Sequence, residues 1–404
     1  MFQSVWHFLI VFAPVWIPLL ALLAWFDVFV HYKRRAWIKK EGSALLEIKL
    51  PHEIFKSPAA IEAILNVIYE PVGGSNLIKV FLEGALRPWY SLEMVSIDGH
   101  VHFYIWCHKK YKSIIETQMY AQFPNIEVHE AVDYSLGVYQ NPDKLKIMYF
   151  GQLELLKPDA YPIKTYVDYG LDKDPDEEYK IDPLVPLLEF LGSLKQGEQV
   201  WVQILIRAHT KEGLMHGRFI TKPDWKKEAN KEIKKFIKEN APAKESKIVE
   251  PTVRDLTEEQ KETVTAIERN LNKLPYDTMI RMAYLAEPGK DNSANIGGLI
   301  RSFRRFGSSN SNGVKPSWDS SLKYPQFQDF RKMKQMRNER EILEAYKRRS
   351  FFERPFRHFH GKPFILTVEE LATLYHFPSS TVAATPTLAR LPSKKGQSPT
   401  NLPV

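Results

Sequence analysis

From Phe8 to Phe26 the chain reads FLIVFAPVWIPLLALLAWF, 19 residues without a charge. As a helix this run is about 28 Å long, close to the hydrocarbon thickness of a bilayer. Pro14 and Pro18 would break a soluble helix but are tolerated in a membrane. Trp6, Trp16 and Trp25 suit interfacial positions, at least at the two ends. A cleaved signal peptide would carry Lys or Arg before the run and a small-x-small site after it, and neither is present. The cations follow instead, at Lys33, Arg34, Arg35, Lys39 and Lys40, which by the positive-inside rule places the body in the cytoplasm. The expectation is a single-pass protein of the cytoplasmic (inner) membrane.

The chain as a whole is ordinary for water-facing domains, with 44% hydrophobic and 26% charged residues, and its length of 404 favours more than one core. Cys107 is the only cysteine, which rules out an intrachain disulfide and a thiolate metal site.

Local signals set out a first module over 44–140. ALLEIKL (44–50) reads as a strand ended by Pro51, and Ser57-Pro58 opens a helix through Ile61, Ile64, Leu65 and Ile68. Two apolar runs flank Asp98-Gly99, a hairpin signal, and a helix over 111–122 and a strand over 126–132 follow. The order strand, helix, hairpin, helix, strand is the split βαβ of a ferredoxin-like module. A second α+β module of the same kind spans 141–322. Strands are expected at 146–154, 161–168, 198–208 and 276–286, with helices at 183–193, 258–273 (opened by the capping box Thr257–Gln260) and 292–306. A highly charged helix over 226–239, thin in apolar residues, reads as a surface insertion, and the Gly- and Ser-rich 308–321 as a loop. A basic helical region (323–378) and a proline-rich, extended tail (379–404) complete a chain whose first 43 residues are the anchor and its basic flank. The fold class is therefore α+β, two ferredoxin-like modules behind a transmembrane helix.

Charge is concentrated in sequence. Residues 301–362 hold 16 Lys or Arg against 6 Asp or Glu, a net of +10, whereas the whole chain is +8. Aromatic residues are interleaved, so the region could contact nucleic acid through phosphates and stacking, or the anionic inner leaflet. The candidate contacts are Arg301, Arg304, Arg305, Arg331, Lys332, Lys334, Arg337, Lys347, Arg348 and Arg349. The plain alternative is a solvated helix with an apolar stripe facing a core.

Catalytic signatures are not found in the sequence. There is no G-x-x-x-x-G-K-[ST], H-E-x-x-H or G-x-S-x-G. His100/His102 and His358/His360 could each share a strand face, but no third ligand has recognisable spacing. Cys107 has His108 beside it and reads as a packed thiol. Neither an enzymatic activity nor a cofactor is expected, and no feature sets an oligomeric state.

Several strings carry a resemblance. They are EIKLPHEIFKSPAAIEAIL (47–65), SLEMVSIDGHVHFYIW with IETQMYAQFPNIEVHEAVDY, and the terminal YKRRSFF (346–352), LTVEELATLYHFP (366–378) and TPTLARLPSKKGQSPTNLP (385–403). From about residue 44 onward the chain resembles the membrane-anchored accessory region associated with conjugation-type ATPases of type IV secretion-like systems in candidate phyla radiation bacteria. The resemblance implies a non-catalytic scaffold working with a DNA-pumping ATPase. In relatives the proline-rich end leads into that ATPase; with no Walker motif here, the motor is expected to be a separate polypeptide. The terminal block would recruit it, with Leu371, Leu374, Tyr375 and Phe377 as candidate docking residues. The alternative is a membrane-tethered nucleic-acid-binding protein using 301–362.

Overall fold

The computed structural model describes residues 7, 10–51, 56–73, 76–140, 145–172, 181–211, 224–240, 253–319, 333–353 and 361–378. Helix α1 runs unbroken from Ala13 to Glu41, with Pro14 in its first turn and Pro18 inside it. It is long and apolar enough to cross a membrane, by length and composition, properties that a signal sequence shares.

Behind it lies a nine-stranded antiparallel sheet of mixed α/β composition: β1 (Ser43–Lys49), β2 (Tyr90–Ile97), β3 (His100–His108), β4 (Glu127–Glu130), β5 (Lys146–Leu155), β6 (Glu198–Ala208), β7 (Pro275–Ala286), β8 (Val314–Asp319) and β9 (Phe364–Thr367). The strand order is β4-β1-β3-β2-β6-β7-β5-β8, with β9 added beside β7. The Asp98-Gly99 hairpin forms as its sequence requires. Both residues have positive φ, 55° and 82°, the left-handed pair of a type I′ turn. A side chain at Gly99 would also strike the Leu194 carbonyl at 2.5 Å.

The two halves expected from sequence are not separate sheets. The first contributes β4-β1-β3-β2 and the second β6-β7-β5-β8, and they join through an eight-residue ladder from Tyr90↔Ile206 to Ile97↔Gln199.

Strand alternation divides the core into two layers. On one face Leu46, Phe103, Ile105, Ile204 and Met282 pack under α2 (Ala59–Val67), α3 (Lys112–Gln122), α4 (Val185–Gly192), α7 (Ser293–Ser302) and α9 (Val368–Leu374). On the other, Leu45, Trp106, Trp201 and Ala283 pack under Ile342 and Tyr346 of α8 (Met333–Lys347), Phe351, Phe352 and the end of α1. Between β6 and β7, α5 (Trp225–Asn240) lays Trp225, Ala229 and Ile233, one per turn, against α6 (Glu258–Leu271). The charged helix thus lies on the surface as expected, held by that narrow stripe.

Three expectations are corrected. Tyr161–Asp168 is not a strand: beyond a lone bridge at Ile163 its polar groups are met by α9, with Ile163 N–H donating to Glu370 (2.9 Å), Thr165 Oγ1 to Glu369 (2.7 Å) and Tyr166 N–H to Thr373 Oγ1 (2.9 Å). Side chains from a distant helix satisfy what a ladder would have satisfied. Residues 314–319, inside the expected loop, form β8 on β5, and Pro316 is tolerated because β8 is the outermost strand in the order. The described parts of the region 323–378 do not stand apart, since β9 pairs with β7 and α9 packs on α2.

Candidate functional site

The structure distributes the expected site residues widely. Arg301, Arg304 and Arg305 are exposed on and just after α7, over one face of the sheet. Lys334, Arg337 and Arg348 are exposed along α8, over the opposite face, and Lys347 is half-buried there. The described cations of α7 and α8 are therefore two groups in space, with a sheet between them. Arg331 and Lys332, like His358/His360 and the tail from 379, lie outside the described residues.

Arg349 is no surface contact. It is fully buried, and its guanidinium meets the Glu93 carboxylate through two bonds of 2.9 Å and also engages Asp133. Leu371, Leu374, Tyr375 and Phe377 are likewise core residues. Phe377 stands edge-on to Phe103 and Phe123, and the Tyr375 hydroxyl donates to the Tyr104 carbonyl (3.1 Å). None of the four presents a docking face; the apolar spacing that suggested one is the spacing of a helix buried all round. His102 is paired with Glu47 at 2.8 Å. Among the described residues no group of three or more metal-ligating side chains comes together. Cys107 is buried, which pushes its thiol up to about 12 and makes it unreactive at neutral pH.

The feature that sequence reasoning missed lies where α1 meets the body. The last turns of α1 are built into the fold: Val30 and Arg34 are buried, Trp37 and Ile38 pack on the second core layer, and Arg34 is 3.6 Å from Glu353. The helical turn Lys79–Glu83 lies along it, with the Phe81 ring 5.7 Å from that of Phe26. Leu77, Ile78 and Leu82 beside it are exposed. Together α1, β3 and the end of α8 surround a cavity of about 1000 Å³. Its cations are Arg35, Lys39, Lys347 and Arg348, and its carboxylate is Asp133. Burial pushes Asp133 up, but Arg349 beside it more than offsets this and holds it below the usual carboxylate range.

Trp89, Trp106 and His108 form the cavity's inner wall, with the His108 ring edge-on to Trp89 at 4.3 Å. The Trp89 Nε1 is buried without a hydrogen-bond partner among the described residues, and the His108 ring has the Gly42 carbonyl beside it. Burial lowers the His108 pKa to about 4, with the Gly42 carbonyl acting in the opposite sense. Folded protein thus keeps this ring neutral where the unfolded chain, near 6.5, takes up a proton. The unfolded state binds more protons between those values, so stability falls as pH drops from about 6.5 to 4, by about 3 kcal/mol. Urea denaturation at pH 7 and pH 4.5 should show wild type losing more stability than His108→Phe; parallel losses would refute the assignment.

Comparison with curated proteins finds no match. Residues 75–389, which run from just before the helical turn beside α1 through β9 and α9, match the family model described as Domain of unknown function (DUF8128). That span is more than half of the chain, and the protein belongs to this family.

Proposed function

We propose that the protein is a non-catalytic scaffold of a type IV secretion-like translocation system, anchored by α1 in the cytoplasmic membrane with its body on the cytoplasmic side. The observation that carries the anchor is that α1 continues without a break from the apolar run into the core. A signal peptide is removed at the end of its apolar segment. Cleavage here would separate that segment from a helix whose lower turns the body needs. Integration of those turns also makes the anchor a rigid strut, so the body is held in one orientation at the bilayer. The exposed Leu77, Ile78 and Leu82, beside Phe26, are then in place to enter the interface.

The strand orders β4-β1-β3-β2 and β8-β5-β7-β6 support the reading of two ferredoxin-like units, each with its first strand between its fourth and third. In this reading the second strands of the two units pair edge to edge, and α5 and α6 are an insertion in the second. Recruitment of a separate conjugation-type P-loop ATPase then falls to 379–404, because residues 366–378 are occupied as core. Direct DNA binding is the weaker reading, since the exposed arginines of α7 and α8 lie on opposite faces and offer no continuous groove.

Two experiments test this. Deleting 379–404 should leave the body folded and abolish co-purification of the ATPase; undiminished co-purification would count decisively against the recruiting role. Because Cys107 is buried, a thiol introduced by Leu20→Cys, Leu82→Cys or Lys109→Cys can be labelled alone with a fluorophore. In vesicles containing brominated lipids the labels at 20 and 82 should be quenched. The label at 109, beside Gly42 and about 24 Å along α1 from Phe26, should not. An unquenched label at 20 would sink the anchor.

A further inference from the structure

We propose that the cavity between α1, β3 and the end of α8 binds the phosphate of an anionic phospholipid headgroup, held by Arg35, Lys39, Lys347 and Arg348 with the Trp89 indole N–H donating to it. The inference rests on the reading of α1 as a membrane span and adds a ligand to it.

Three independent observations converge. The first is height. The cavity wall begins on α1 at Val28, two residues past the apolar run, and continues to Lys39, about 16 Å further along the helix. That interval is the headgroup layer and the water just beneath it.

The second is charge. The lining carries four Lys or Arg, of which Arg348 is also paired with Glu344 at 2.6 Å, and a single carboxylate, Asp133, which is already committed to Arg349. Two of the cations come from α1 and two from the end of α8, more than 300 positions away in sequence. The fold therefore brings them together around one space, which a phosphodiester anion suits better than any neutral group.

The third is unsatisfied polarity. Trp89 is 6% exposed, and its indole N–H has no hydrogen-bond partner among the described residues. A buried donor left unpaired costs about 1–3 kcal/mol. Trp89 lines the cavity, so an acceptor oxygen entering it removes that cost. Apolar groups of Ala36 and Ile38 share the lining and can meet the glycerol and upper acyl carbons.

The test uses the full chain in detergent micelles and follows thermal unfolding against three additives at equal ionic strength. These are dihexanoyl phosphatidylglycerol, dihexanoyl phosphatidylcholine and inorganic phosphate. Phosphatidylglycerol should raise the midpoint and saturate, and phosphatidylcholine should not. Lys39→Gln, Arg348→Gln and Trp89→Phe should each raise the half-saturating concentration on the order of tenfold, the loss of one charge-assisted bond. Each variant's own midpoint without lipid reports that it is folded. An equal response to both lipids, or folded variants that saturate like wild type, overturns the site. Inorganic phosphate saturating at as low a concentration as phosphatidylglycerol overturns the lipid as its source and leaves a soluble phosphate. Quenching of the label at position 20 separates these outcomes from failure of the anchor itself.

Discussion

Replacing Arg349 with methionine is expected to destabilise the body by about 3–5 kcal/mol, the cost of stranding a buried carboxylate. Glu93 and Arg349 are both fully buried, and the guanidinium grips the carboxylate with Nε and Nη2 at 2.9 Å each. Glu93 also accepts from Ser91 Oγ (2.7 Å), Gln203 Nε2 (2.9 Å) and the Tyr134 hydroxyl (2.8 Å). Glu93, Gln203 and Arg281 lie abreast on β2, β6 and β7, so this network sits at the ladder where the two halves of the sheet meet. Arg281 is itself buried, which lowers its pKa to about 9, and it donates to the Ser350 carbonyl at 3.2 Å. Arg349 closes the network from the residues just past α8. It does so from a left-handed backbone, φ 49°, where a non-glycine residue is strained and persists only when its side chain compensates. Urea denaturation in micelles measures the loss. Glu93→Gln alone should also destabilise, because it leaves Arg349 with Arg281 near and one carboxylate fewer. The double variant should be more stable than the sum of the two losses predicts. An Arg349→Met protein as stable as wild type would show that the pair contributes nothing.

That Arg349 reads in sequence as one of ten candidate contacts shows where linear reading stops. Its partner Glu93 is 256 positions away, and a window over 301–362 counts charge without knowing which side chains a sheet will cover. The same limit hid the separation of α7 from α8: both are basic and near in sequence, and only the topology puts them on opposite faces. Signals that close within a few residues were legible. Asp98-Gly99 specified its hairpin, and the capping box at Thr257–Gln260 forms with both reciprocal bonds. The join of β2 to β6 was not, because each strand is buried on both faces and its free edge carries no sequence mark. The cavity at the base of α1 was invisible for a related reason. Trp89, His108 and Arg348 become neighbours of Arg35 only once the helix has docked.

Docking itself depends on one position. Gly84→Val is expected to detach the lower half of α1 from the body, at a cost of several kcal/mol from a forced overlap and a strained turn. A Cβ at Gly84 would lie 2.4–2.6 Å from the carbonyl carbon and oxygen of Lys33 and the amide nitrogen of Arg34. These are backbone atoms of a continuous helix, so no rotamer change relieves the overlap. Gly84 also has φ 76° and ends the Lys79–Glu83 turn, a conformation that a β-branched residue resists strongly. The helix must therefore move, and with it Arg34 leaves Glu353 and Trp37 leaves the edge of His108. His108 then becomes accessible to water, and the acid destabilisation that depends on its burial should shrink in the same variant. Hydrogen exchange supplies the direct measurement: amides of 30–41 should lose protection by several orders of magnitude, while those of β6 and β7 keep theirs. Unchanged protection over 30–41 would mean that the close approach at Gly84 does not hold the helix. The lower half of α1 would then be held by Val30, Arg34, Trp37 and Ile38, side-chain contacts that can yield rather than backbone contact that cannot.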